Sequence, residues 1–162
     1  MLNKILILAA CITLFITVTA LVYAADSTVP APVQAVMTPY LQIHDALAKD
    51  SMDGVPAAAA ALAKAAQADK TLPSELSQEA QTLALAKDLA TARLVFKPLS
   101  ETLIKALTDN HVNSGAVEAY CPMAKAHWLQ TGTAISNPYF GPAMSTCGSI
   151  VSGASTTGGC CN

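Results

Sequence analysis

The sequence predicts an all-α fold: an up-and-down bundle of three to four helices, followed by an irregular C-terminal segment rich in Cys, Met and aromatic residues. Three observations carry this expectation. Aromatic residues make up only 5% of the 162 residues while hydrophobic residues make up 52%, and the apolar content is mostly alanine and leucine, which favour helix over sheet. Apolar residues recur at helical spacing from Tyr40 to Leu107. Beyond Gly115 that period stops, and Pro122, Pro138 and Pro142 punctuate a stretch that holds the only Trp.

The chain length is that of one domain of ordinary size. Charged residues are 12%, with nine Lys+Arg against eleven Asp+Glu and a formal net charge of −2. That balance excludes a nucleic-acid binder built on a basic patch, and the apolar content excludes a disordered acidic chain.

The N-terminus reads as an export signal. Lys4 precedes an almost uninterrupted apolar run from Ile5 to Val22, and Val22-Tyr23-Ala24 offers small residues for cleavage after Ala24. The run is also long enough for an uncleaved anchor. Leu8-Ala9-Ala10-Cys11 matches a lipobox, but the apolar run continues well past Cys11. Residues 1–24 are therefore assigned as a signal peptide, 25–35 as a flexible leader, 36–151 as the folded domain and 152–162 as a disordered tail. The expected location is the periplasm, with no membrane association after cleavage.

The first helix is expected to open at Thr38-Pro39, a capping residue followed by a proline suited to the first helical position, and to run to about Lys49. Tyr40, Leu41, His44, Leu47 and Ala48 share one face. Ser51 to Gly54 forms a turn, and a second, alanine-rich helix runs to about Ala68. Pro73 and Ser74 start the next segment, which keeps helical period from Leu76 to Leu107. Pro98 predicts a break or kink just before itself. Asn110, Asn113 and Gly115 end the helical part.

Chemistry is expected in residues 116–151. Cys121-Pro122-Met123 and Met144-Ser145-Thr146-Cys147 are two short sulfur-bearing segments flanking His127. Two thiolates and two thioethers converging on one point form a soft donor set, which selects Cu(I) over magnesium, calcium or manganese. Zinc is more usually offered paired Cys-x-x-Cys or Cys/His sets. The competing reading is a Cys121–Cys147 disulfide, natural in an oxidising compartment and worth about 3 kcal/mol in the chain-entropy model. The two readings are compatible, since one pair can be bridged without metal and ligating when reduced.

Tyr120-Cys121-Pro122-Met123-Ala124, His127-Trp128-Leu129, Ile135-Ser136-Asn137-Pro138-Tyr139-Phe140-Gly141 and Met144 with Cys147-Gly148 together resemble a family of exported bacterial domains of unknown function. Its members occur alone or appended to periplasmic adaptor proteins of copper/silver-type heavy-metal efflux pumps. Tyr40-Leu41, Asp45-Ala46-Leu47, Arg93, Phe96 and Leu99-Ser100 extend the likeness over roughly residues 36–151. The resemblance implies a helical bundle with a compact sulfur-rich segment, a role in soft-metal handling, and Cys121, Met123, Met144 and Cys147 as ligands. The family's usual glycine shortly before the tryptophan is replaced here by Ala126-His127, and His127 joins the candidate set as its one nitrogen donor.

Several other residues read as structural. Asn137 to Gly141 has the composition of a shaped turn, with Asn-Pro starting it and two rings able to cover the site. Trp128 is expected to plug the core, and Arg93 to pair with a carboxylate or cap loop carbonyls. His44 reads as a partly buried, hydrogen-bonded histidine, with a second soft-metal surface shared with Met37 and Met52 as the alternative. His111, at a helix end, is assigned no function. The adjacent Cys160 and Cys161 lie beyond the resemblance.

Enzyme readings find little support. The sequence has no Cys-x-x-Cys, no Cys-x-x-Cys-His, no Gly-x-Ser-x-Gly, no P-loop and no His-Glu-x-x-His. A thiol enzyme using Cys121 with His127 would lack one amide for an oxyanion hole, because proline follows the cysteine. The sequence reading is thus a periplasmic soft-metal binding protein, a chaperone, buffer or efflux accessory taking Cu(I). The alternative is a disulfide-stapled structural or interaction module that contacts a partner such as a pump component.

Overall fold

The computed structural model describes residues 29–152. The signal peptide, Cys11, the start of the leader, and the tail with Cys160 and Cys161 lie outside the described residues. Four helices come first: α1 (Ala31–Ala48), α2 (Val55–Ala68), α3 (Ser74–Ala84) and α4 (Leu89–Asp109). Three strands follow, β1 (Val117–Cys121), β2 (Ala126–Gln130) and β3 (Ser149–Ser152), with a 3-10 turn at Gly141–Met144 between the last two. They form one antiparallel sheet in the order β2-β1-β3. The helical core is as expected, but the segment after Gly115 is not irregular, so the fold is not purely α.

The sequence signals explain most helix boundaries and misplace two. α1 starts at Ala31 rather than Thr38, so the last five residues of the expected leader are helical. Pro32 sits in its first turn, where a missing N–H costs nothing. Pro39 lies inside the helix and is buried; the carbonyl it leaves without an intrahelical donor is that of Ala35, an exposed residue open to water. The long periodic run does break, but at Leu85 to Asp88 instead of at Pro98. Asp88 is the N-cap of α4, its carboxylate accepting from the Thr91 amide at 2.8 Å. Pro98 is carried within α4, and the carbonyl opposite it belongs to Leu94, which is 74% exposed.

α2 packs between α1 and α3, and its buried Ala58, Ala59, Ala63 and Ala66 let both neighbours approach closely. Tyr40, Ile43, Leu47, Leu62, Leu76, Leu83, Phe96, Leu99 and Leu103 fill the core. No helix among the described residues is long and apolar enough to cross a membrane.

The sheet meets the bundle along the free edge of β2. The His127 amide donates to Glu101 Oε1 of α4 at 3.0 Å, and the Leu129 amide donates to the Tyr40 hydroxyl of α1 at 3.0 Å. Helix side chains therefore take the hydrogen bonds that a further strand would take, which blocks pairing at that edge. Tyr40 also contacts Ser100 Oγ at 2.8 Å and stacks on Phe96 with ring centres 5.1 Å apart. Burial holds the Tyr40 phenol well above its ordinary pKa, so it is a neutral hydroxyl at any working pH. Tyr40→Phe leaves the Leu129 N–H and the Ser100 hydroxyl without this partner. A loss of about 1–3 kcal/mol is expected in urea unfolding; a loss under about 0.5 kcal/mol would mean that water reaches this edge.

Candidate functional site

Cys121 ends β1, and Cys147 immediately precedes the Gly148 bend into β3. Their sulfurs stand 2.9 Å apart, and both cysteines are buried. The antiparallel pairing of β1 with β3 explains the meeting, because Tyr120 opposes Ser149 and brings the residues beyond each strand end together. Burial works against ionisation of Cys121. The Cys147 thiol, the amides of Ala124 and Met123 and the Asn137 side chain more than offset it, so this thiol is held below its ordinary pKa.

The turn that reads as a shaped loop is one. Asn137 is fully buried; its Oδ1 accepts from the amides of Tyr139 at 2.8 Å and Phe140 at 3.3 Å, closing an Asx turn. Its Nδ2 donates to the Cys147 carbonyl at 2.6 Å. Helix side chains fix this turn from outside. His44 Nε2 sits 2.9 Å from the Ser136 carbonyl while Nδ1 faces Asp45, so the histidine is hydrogen-bonded as expected and more deeply buried than expected. Arg93 does both things expected of it: it donates to the carbonyls of Pro138 and Leu47 at 2.8 Å each, and it pairs with Asp50.

Two rings of the C-terminal part pack against each other and into the core. Trp128 is fully buried, donates from Nε1 to Gln130 Oε1 at 2.9 Å, and meets Tyr139 edge-on at 5.9 Å. Tyr139 donates its hydroxyl to the His127 carbonyl at 2.6 Å and tilts against Phe96 at 6.1 Å. Burial raises its phenol pKa well above the ordinary range, with Tyr40 and Cys121 adding to the effect.

Of the five candidate ligands, the fold brings the two thiols together, leaves Met123 and Met144 on the adjoining turns and sets His127 apart. Met144 is half-buried at the end of the 3-10 turn, three residues before Cys147, whose amide donates to the Met144 carbonyl at 3.1 Å. Met123 occupies the β1–β2 turn and is 59% exposed. His127 lies on the other face of the sheet. It opposes Tyr120, whereas Cys121 opposes Ala126, and successive strand residues point to opposite faces. There its Nδ1 meets Glu118 Oε1 at 2.5 Å and its ring lies 4.6 Å from that of Tyr120. No cluster of three or more His, Cys, Asp or Glu suited to holding a metal occurs among the described residues.

Three residues with defined roles at this end of the molecule had no distinctive sequence signal. Glu118 orients His127, Glu101 caps the β2 edge, and Lys97 donates to the Ala124 carbonyl of the β1–β2 turn at 2.7 Å. Glu118 stands at the register position diagonal to His127, which only strand pairing reveals.

Residues 36–115 match the family described as Protein of unknown function (DUF3347). The match runs from the second turn of α1 through α4 and ends at Gly115, before β1 begins. The helical part thus carries the likeness to a family of unknown function, and the sulfur-bearing sheet lies outside the matched residues. No curated protein and no solved structure matches the chain.

Proposed function

We propose that this protein binds a soft, thiophilic metal ion, Cu(I) first, through Cys121 and Cys147. The observation that supports the reading is the convergence of two buried sulfurs to 2.9 Å at the end of the central strand of a sheet whose β2 edge the helical bundle holds. The donor chemistry fits the ion. Thiolates select Cu(I), the pulled-down pKa of Cys121 favours the ligating thiolate form, and only two thiols meet where tetrahedral zinc takes four N or S donors. Met144 and Met123 are the thioethers nearest to the pair in sequence, one half-buried and one exposed, and they supply the remaining soft donors. His127, turned to the opposite face and held by Glu118, is left out of the set.

An exported role as chaperone, buffer or accessory to heavy-metal efflux belongs to the same proposal. Its support is the N-terminal export pattern and the resemblance of the Cys-Pro-Met and Asn-Pro-Tyr-Phe-Gly strings. A second reading is favoured by the burial of both thiols: a disulfide-stapled module that contacts a partner protein.

Anaerobic titration of the reduced protein with Cu(I) against a chromophoric chelator separates the two. The metal reading expects one equivalent bound tightly, retained in Cys160→Ser/Cys161→Ser, weakened in Met123→Ala and lost in Cys121→Ser. Failure to compete with the chelator, together with thiols that resist alkylation unless reductant is added, would leave the stapled module as the function.

A further inference from the structure

We infer that Asn137 is the positioning residue of the sulfur pair, the group that sets how closely Cys147 is held to Cys121. The inference deepens, and rests on, the reading of this pair as the functional centre. Cys121 is fixed by the β1 ladder. Cys147 precedes β3, and the first ladder partner on its side is Ser149, so the sheet alone leaves its position open.

Asn137 closes that freedom from two sides. Its side chain donates to the Cys147 carbonyl at 2.6 Å, and its backbone amide donates to the Ser145 carbonyl at 2.9 Å. Its own place is fixed by the Asx turn to Tyr139 and Phe140 and by the Gly141 amide on its carbonyl at 3.2 Å. The residues on either side are held by different helices: Ser136 by His44 of α1 and Pro138 by Arg93 of α4. A continuous set of contacts therefore runs from the bundle through residues 136–138 to Cys147. A fully buried amide with both its oxygen and its nitrogen engaged is far more specified than loop shape requires.

The test reads the effective concentration of one thiol toward the other without metal. The full chain, with Cys160→Ser and Cys161→Ser as background, is equilibrated with reduced and oxidised glutathione. The reaction is protein dithiol plus oxidised glutathione giving protein disulfide plus two reduced glutathiones, followed by quenched mass analysis. Asn137→Asp keeps the size of the side chain but puts an oxygen against the Cys147 carbonyl. Asn137→Ser keeps an acceptor for the turn and is too short to reach Cys147.

Both are expected to lower the equilibrium constant for bridging by about tenfold, the equivalent of one lost buried hydrogen bond. Leu62→Ala, in α2 and away from the pair, should destabilise the bundle and leave the constant within about twofold of the parent. Folded Asn137 variants with the parent's constant would overturn the inference, as would an equal drop in Leu62→Ala.

If neither variant folds, the parent itself gives the answer. The Asn137 side-chain amide protons, identified by nuclear magnetic resonance, should be protected from solvent exchange and should shift between the dithiol and disulfide forms. Unprotected, unshifted amide protons would overturn the inference. Because no metal enters, this outcome is independent of whether Cu(I) binds.

Discussion

Replacing Trp128 with alanine is expected to lower the unfolding free energy by about 3–5 kcal/mol, the range for removing a buried tryptophan from a core that cannot collapse around the gap. The indole is fully buried, with Tyr139 meeting it edge-on at 5.9 Å and the Gly148 backbone lying close against its ring. Its deletion also takes from Gln130 Oε1 one of its two donors, the indole N–H at 2.9 Å, and leaves it the Ser136 amide at 3.1 Å. The effect should spread to the candidate site, because Ser136 is the residue before Asn137.

Unfolding of the variant must be followed by far-ultraviolet circular dichroism, since Trp128 is the only tryptophan. In the parent protein the tryptophan fluorescence and the helical signal should change together in urea, as they do when sheet and bundle form one cooperative unit. A cost below about 1 kcal/mol, or separated transitions in the parent, would show the sheet to be an appendage whose folding does not depend on the helices.

The helical part was the more legible half for a physical reason. Helices stabilise themselves through local hydrogen bonds and repeat every 3.6 residues, so alanine and leucine spacing marks them over long windows. The continuous period from Leu76 to Leu107 hid the α3–α4 break, because Leu83 and Ala86 are both buried and keep the pattern across it. Asp88 was the available cue, and it needed to outrank Pro98.

The strands were harder to see because each spans only four or five residues. Val117, Ala119 and Cys121 alternate with Glu118 and Tyr120, but a short alternation competes with chance. The β1–β2 turn also lacks the usual hairpin residues: Lys125 takes the left-handed backbone conformation at φ 48° where Gly or Asn would have announced it. Missing the strands led directly to misplacing His127. Six residues after Cys121 in an irregular loop, it was free to join the sulfurs; in a hairpin with Cys121 opposite Ala126, it faces the other way. The convergence of Cys121 with Cys147 was legible from residue type and flanking motif alone, whereas its cause, the β1–β3 pairing, was not.

Gly148→Ala is expected to be about as damaging as loss of the tryptophan, by about 2–6 kcal/mol, and to act on the sulfur pair directly. Two penalties combine. The backbone at Gly148 has φ 137°, a conformation that side chains disfavour at about 1–3 kcal/mol. A Cβ there would also stand 2.7 Å from the Trp128 ring and 2.9 Å from the Tyr120 carbonyl oxygen, and overpacking of this kind costs about 1–3 kcal/mol. Neither neighbour yields easily, since the ring is locked in the core and the carbonyl belongs to the central strand. The chain must move instead, and the residue it moves is Cys147. Bridging with glutathione should therefore weaken along with stability. Gly54→Ala separates the two causes: its φ is 75°, yet a Cβ there meets nothing within 4 Å, so it should cost only the backbone penalty and leave the cysteine pair untouched. Equal losses in the two variants, measured by urea unfolding, would mean that close packing at Gly148 does not hold Cys147 in place.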